Sequence, residues 1–330
     1  MCEKQKGRIT AGIVYVAVAL LFLTEVVSLV VLRLRRGPVQ TPSVPTAVQP
    51  AAVRVKAVGR KTIPVAHTAG VVASAAVAIV CGDDPATADR YEARNDALRS
   101  IARRRDLARN DVALLMAYVG ATNDVLRAER AAALKNDVLN LLRNQNAVPE
   151  GLVELLVGML EADEGFYPPV ELDYCIQHLG ALQGDIRETD LRERIRAALV
   201  DAAGRSKLPY AGTALYSLAE DRRGGAVRDA ELKRLTLDLC APSANAAARI
   251  AAVQLAGQRG WREALPILRK TLAGSRRDAV VDMAAIGSIG LLGREEDLPL
   301  LESMRVKGGL RLRPAVDAAV RRIKERGGGK

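Results

Sequence analysis

Two stretches near the end of this chain carry the same pattern 33 residues apart. From Arg249 to Leu268, and again from Asp282 to Leu301, Ala251-Ala252 aligns with Ala284-Ala285 and Gly257 with Gly290. Gly260 likewise aligns with Gly293, and Leu265-Pro266 with Leu298-Pro299. A fixed period restricts the fold more than composition does. One such unit cannot bury its apolar stripe alone and must stack on its neighbours. The repeat therefore predicts a solenoid and argues against a globular enzyme fold closed around one core.

Within each unit the spacing reads as two helices and a tight corner. Ile250, Val253 and Gly257, joined by Ala252 and Ala256, recur at three- and four-residue steps and share one helix face. Gly260 then interrupts, and Glu263 falls where an acidic side chain meets the positive end of the next helix. Leu265, Leu268 and Leu272 supply the second apolar face. The following unit repeats this with Met283, Ile286 and Gly290, then Gly293, the acidic run Glu295-Glu296-Asp297, and Leu298 and Leu301. Leu298 is expected inside an inter-helix core, and the acidic run on ordinary surface at a helix start.

The segments "RIAAVQLAGQRGWREALPILRKTL" and "DMAAIGSIGLLGREEDLPLLESM" resemble the short bacterial form of the HEAT repeat, an armadillo-type helical unit. The likeness lies in an Ala-rich first helix, a Gly near the corner and a Leu-Pro-x-Leu second helix. An ankyrin repeat would open on Thr-Pro-Leu-His and a tetratricopeptide repeat would carry Trp and Tyr at fixed places; neither pattern is present. The resemblance implies an all-α, right-handed α-α superhelix and protein or peptide ligands. It carries no binding residue that transfers to a numbered position here.

Upstream the helical pattern continues without the motif. Residues 89–104, 112–119, 126–142, 152–161, 172–182, 191–203, 210–219 and 227–239 each read as a helix with Leu, Val or Ala at helical spacing. Their connectors hold Asn144-Gln145-Asn146, Phe166-Tyr167-Pro168-Pro169, Gly204 and Gly224-Gly225. A HEAT-like repeat domain over residues 69–326 follows, ending in a frayed tail at 327–330. With 49% hydrophobic but only 3% aromatic residues, its core must be Leu, Ala, Val and Ile interlocked at close helix spacing.

The amino-terminal end reads as a membrane tether. After a basic tail at residues 1–8, Ile9 to Leu32 contains one formal charge, Glu25. At about 1.5 Å per residue it extends roughly 36 Å, enough for one crossing of a hydrocarbon core of about 30 Å. Lys4, Lys6 and Arg8 flank it on one side and Arg33, Arg35 and Arg36 on the other. No small-residue cleavage site follows, so an uncleaved signal-anchor is expected rather than a signal peptide. A short amino terminus before a long folded domain leans toward export to the periplasmic or extracytoplasmic side. Arg54, Lys56, Arg60 and Lys61 argue for the opposite orientation. Residues 33–68 form a Pro-rich and basic linker, whose "GPVQTPSVPTAVQP" favours polyproline II. Gly70 to Cys81 is a second apolar patch, read as the first solenoid helix in preference to a second crossing because it is too short.

The net charge of +11 divides unevenly. Residues 1–61 carry 10 basic and 2 acidic side chains, and residues 302–330 carry 9 and 3, leaving 30 against 33 between them. The solenoid body is thus close to neutral. Basic ends suit anionic lipid headgroups as well as phosphate backbones, and the scarcity of aromatic side chains weakens the case for nucleic acid. Arg103-Arg104-Arg105 reads as a solvated helix face.

The candidate chemistry is thin. Cys2, Cys81, Cys175 and Cys240 form no Cys-x-x-Cys pair, which leaves a zinc site without support. Cys175 and His178 lie three apart on one helix face, the spacing of a thiolate–imidazole pair or half a metal site. The simpler reading turns both into the inter-helix core beside Leu179 and Leu182. Phosphate-loop, dinucleotide and nucleophile-elbow patterns are missing. No catalytic, cofactor-binding or metal-ligating residue is therefore assigned and no cofactor is implied. The leading expectation is a non-catalytic membrane-anchored scaffold for an unidentified protein or peptide. The competing one is a HEAT-repeat enzyme of the bilin-lyase or DNA-glycosylase kind. Against the latter, Trp261 is the sole Trp and lies at a helix corner within the repeat.

Overall fold

The structure, a computed structural model, describes residues 74–221, 226–274 and 278–328. The expected membrane segment Ile9–Leu32, the linker after it, the start of the Gly70–Cys81 patch, the Gly224-Gly225 connector and residues 329–330 lie outside the described residues. Among the described residues there are fourteen α-helices and no strand. They are α1 (Ala75–Cys81), α2 (Tyr91–Ile101), α3 (Arg109–Gly120), α4 (Ala128–Arg143), α5 (Leu152–Glu161), α6 (Pro169–Asp185) and α7 (Thr189–Gly204). Then follow α8 (Ala211–Glu220), α9 (Ala226–Leu239), α10 (Ala246–Arg259), α11 (Leu265–Ala273), α12 (Ala279–Leu292), α13 (Leu298–Lys307) and α14 (Gly309–Gly327).

Local chemistry sets the ends of the repeat helices. Asn245 accepts the Ala247 N–H at the start of α10, and Asp278 accepts from Val280 and Val281 at the start of α12. Pro266 and Pro299 occupy the first turns of α11 and α13, where a missing N–H breaks no helix bond. The two aligned corner glycines differ. Gly260 takes a left-handed φ of 74° and closes α10, its N–H meeting Ala256 and Gly257 carbonyls. Gly293 has φ −72°, and crowding makes it glycine: a Cβ there would lie 2.6 Å from Asp297 Oδ2 and 2.7 Å from the Ile289 carbonyl oxygen.

The helices stack in two rows. The even-numbered helices touch in unbroken succession from α2 to α14, and the odd-numbered row is in contact from α1 to α7 and again from α11 to α13. Each odd helix also packs on the even helix that follows it, so α11 of one sequence unit lies mainly against α12 of the next. The repeat is thus a unit of sequence whose burial is completed by its successor. This arrangement is consistent with a helical solenoid. Its core is one continuous, mostly aliphatic layer, running from Val77 and Val80 to Val316 and Ile323.

Small residues let the even row close up. A Cβ on Gly290 would lie 2.8 Å from the Ala319 Cα of α14, and one on Gly257 would lie 2.8 Å from Ser288 Oγ of α12. Gly180 of α6 meets Ser217 of α8, and Gly212 of α8 meets Ala251 of α10, in the same way. Ser288 donates to the Val253 carbonyl at 2.8 Å, so the crowded hydroxyl keeps a partner.

Some expectations hold among the described residues and others shift. Gly70–Cys81 contributes a seven-residue helix, α1, with Val77 and Val80 fully buried, as the solenoid reading requires. No helix among the described residues is long and apolar enough to cross a membrane. The helix expected over 89–104 stops at Ile101, its last buried residue. Arg103-Arg104-Arg105 consequently lies in an exposed loop, tied down by Gln145, which donates to the Arg104 carbonyl and accepts from the Leu107 N–H. Leu298 is only partly buried, the inward position being taken by Leu301 one turn later. At the far end α14 runs through Gly327, and Arg326 donates to the Gly290 and Gly293 carbonyls that α12 leaves open.

Candidate functional site

Cys175 and His178 both project from α6 into the helix stack, and the structure gives each a different neighbour. Cys175 is fully buried with its Sγ 3.7 Å from Met159 Sδ. Burial pushes its thiol up to about 12, with the Glu171 carboxylate adding to the shift, so it stays protonated at neutral pH. His178 is 4% exposed and shares a hydrogen bond of 3.1 Å between Nε2 and Asn136 Oδ1. With the amide oxygen as acceptor, Nε2 carries the proton. Burial first, and the positive charge of Arg143 second, push the imidazole down to about 4. A neutral thiol against Met and a neutral imidazole against Asn make packing chemistry, not an activated nucleophile. Among the described residues no group of three or more His, Cys, Asp or Glu is placed to hold a metal ion.

Sequence reading missed the buried charges. Arg94 of α2 is 1% exposed and grips Asp124 with two nitrogens at 2.8 and 3.1 Å. Its Nε donates to the Val80 carbonyl, Nη1 also reaches the Ala88 carbonyl, and the guanidinium lies 5.0 Å from the Tyr118 ring centre. Burial alone would raise the Asp124 pKa. Hydrogen bonds from Arg94, the Leu126 N–H and Tyr118 outweigh it and hold the carboxyl below its ordinary range. Further along, Lys135 of α4 meets Glu171 of α6 at 2.9 Å with both side chains buried, and also donates to the Ala121 carbonyl. The available signal was a charge in an apolar register: Arg94 shares its helix face with Leu98 and Ile101, and Lys135 shares its face with Val138 and Leu139.

The acidic run before α13 also departs from a purely surface role. Asp297 is 2% exposed, caps the Arg294 N–H at 3.0 Å and takes Arg269 Nε at 2.6 Å, so it joins α11 to α13. Burial again opposes ionisation there, and the bonds from Arg269 and Arg294 prevail to keep the carboxyl low. Glu295 and Glu296 are exposed, as expected.

The α13–α14 end carries an open depression of about 670 Å³, bordered by Arg305, Arg313, Arg321 and Lys324 with Asp317 and Glu325. Its charges are partly matched internally, Arg305 pairing with Glu302 at 3.2 Å and with Asp317. Next to it, Val306 and Leu310 are 83% and 82% exposed.

Two rows of stacked helices joined at short corners, with Cys175, His178 and Cys240 buried between them, are consistent with a helical-repeat protein. Residues 233–318 match the family model of HEAT repeats, a span from within α9 into α14 that contains both 33-residue units. The match covers this segment alone, and the all-helical architecture of the described residues is consistent with a HEAT-like repeat protein. Comparison with curated proteins gives no match.

Proposed function

We infer that the protein is a membrane-tethered scaffold whose right-handed solenoid of HEAT repeats binds another protein or a peptide and carries out no reaction itself. HEAT repeats generally mediate protein–protein interaction, and the match over residues 233–318 is the observation that carries the reading. The environments of Cys175 and His178 support the non-catalytic part, since neither side chain is held in a reactive state. The membrane part rests on the apolar run Ile9–Leu32 with its basic flanks, and an exported solenoid is the orientation proposed.

Proximity labelling from the carboxyl terminus of the full-length protein in its native cell tests partner and side together. Recurrent enrichment of the same exported or membrane proteins is expected, unchanged by His178→Gln. Purely cytoplasmic partners would reverse the orientation while leaving the scaffold intact, and a labelling pattern no different from a freely diffusing control would sink the scaffold. Carbonate washing checks the anchor separately: full-length protein is expected in the pellet, and its release into the wash would remove Ile9–Leu32 as a spanning segment.

A further inference from the structure

Val306 and Leu310 are more exposed than any other large apolar side chain among the described residues. Both sit at the α13–α14 corner, where Gly308 and Gly309 turn the chain and Gly309 takes a φ of +60°. They are not core residues that failed to bury. In the same turns Met304 is fully buried and Leu312 is 3% exposed, so the inward positions are filled and the corner is pinned. Val306 and Leu310 are held pointing outward by that pinning. Beside them in the chain are Lys307, Arg311 and Arg313, all exposed, while the nearest acidic residues in sequence, Glu302 and Asp317, both pair with Arg305.

We propose that this corner is a membrane-contact site, inserting Val306 and Leu310 among the headgroups of an anionic bilayer while Lys307, Arg311 and Arg313 meet lipid phosphates. Charge and shape favour lipid over a protein partner. A protein hot spot is read by a pocket, whereas here two highly exposed apolar side chains alternate along the chain with exposed cations, the pattern of an interfacial anchor. The charge division points the same way, because the basic excess collects at the two ends of the chain and leaves the solenoid body near neutral. The corner would then apply the α13–α14 pair to the bilayer, which rests on the membrane reading above for the source of the lipid and adds a second point of attachment.

Hydrogen exchange on the full-length protein tests this with vesicles of phosphatidylcholine alone or mixed with phosphatidylglycerol. Backbone amides from residue 306 to 313 are expected to exchange on the order of tenfold more slowly with the anionic vesicles than with the neutral ones. The slowing should disappear in Val306→Asp/Leu310→Asp. It should also disappear in Lys307→Gln/Arg311→Gln, which keeps the apolar pair and guards against a folding defect in the first variant. Equal exchange in the two lipids overturns the proposal, as does slowing by soluble polyglutamate with none by vesicles, which would assign the corner to an acidic protein. The neutral vesicles hold any effect of Ile9–Leu32 constant, so a failed anchor is seen as loss from the carbonate pellet and a failed corner only in the lipid comparison.

Discussion

Arg94 places a full positive charge between α1, α2 and the α3–α4 corner, and its surroundings use every face of the guanidinium. Removing one member of such a pair leaves the other charge buried with its bonds unmade. Arg94→Met is therefore expected to cost about 3–5 kcal/mol in chemical denaturation, with Asp124→Asn in the same chain recovering part of it. Because the Asp124 carboxyl is depressed in the folded state, its contribution is present above the ordinary carboxylate range and lost as pH falls below it. The acid limb of the stability profile should flatten in Asp124→Asn. His178 works in the other part of the scale. Its folded value of about 4 lies below the ordinary 6.5, so the unfolded chain takes up the proton first and stability falls as pH drops from about 6.5 toward 4. His178→Gln should reduce the loss of stability between neutral and mildly acid pH, read by denaturation midpoints; a wild-type slope retained in the variant would contradict the buried neutral imidazole. None of these charges could be paired from sequence. Arg94 and Asp124 are 30 residues apart, and only the stacking of helix pairs brings them together.

At the level of the element, a helix in the even row is defined by what it lacks at the contact. On α12, Gly290 faces the Ala319 backbone at a distance no Cβ can occupy, while Gly287, three residues earlier, has nothing within 4 Å. The same substitution should therefore act with opposite sign on one helix. Gly290→Ala forces α12 and α14 apart and is expected to destabilise by about 1–3 kcal/mol, whereas Gly287→Ala gains helix propensity of roughly 0.5–1 kcal/mol. Thermal unfolding of both variants checks this, and a common sign would mean that the row is not closed through Gly290. The helices themselves were largely legible. Periodicity found α4 to α10 to within a few residues because their apolar faces are continuous, and the Gly257/Gly290 alignment found the repeat. Periodicity could not separate Gly260, which needs its positive φ, from Gly293, which needs space, since both stand after the same apolar face. Nor could it see that Asp297 turns inward, because that depends on Arg269 arriving from the preceding helix pair.

For the molecule as a whole, the two ends of the even row are joined by different means. Toward the amino-terminal end buried ion pairs make the join: Arg94 of α2 to Asp124 in the connector leading into α4, and Lys135 of α4 to Glu171 of α6. Toward the carboxyl-terminal end the row closes by contact between small residues, with Gly257 on Ser288 and Gly290 on Ala319. In a stack where each unit touches only its neighbours, stability is close to a sum of local terms, and a lesion spreads by one or two units before its effect fades. Native-state hydrogen exchange should resolve this. Arg94→Met is expected to raise exchange in α1 to α4 and leave α12 and α14 near their wild-type protection, while Gly290→Ala should do the reverse. The magnitude follows from the local cost, on the order of a hundredfold or more in the affected helices for a loss of about 3 kcal/mol. If both variants instead raised exchange evenly from α2 to α14, the described helices would unfold as one cooperative block, and the two-row stack would be acting as a single core despite its repeat.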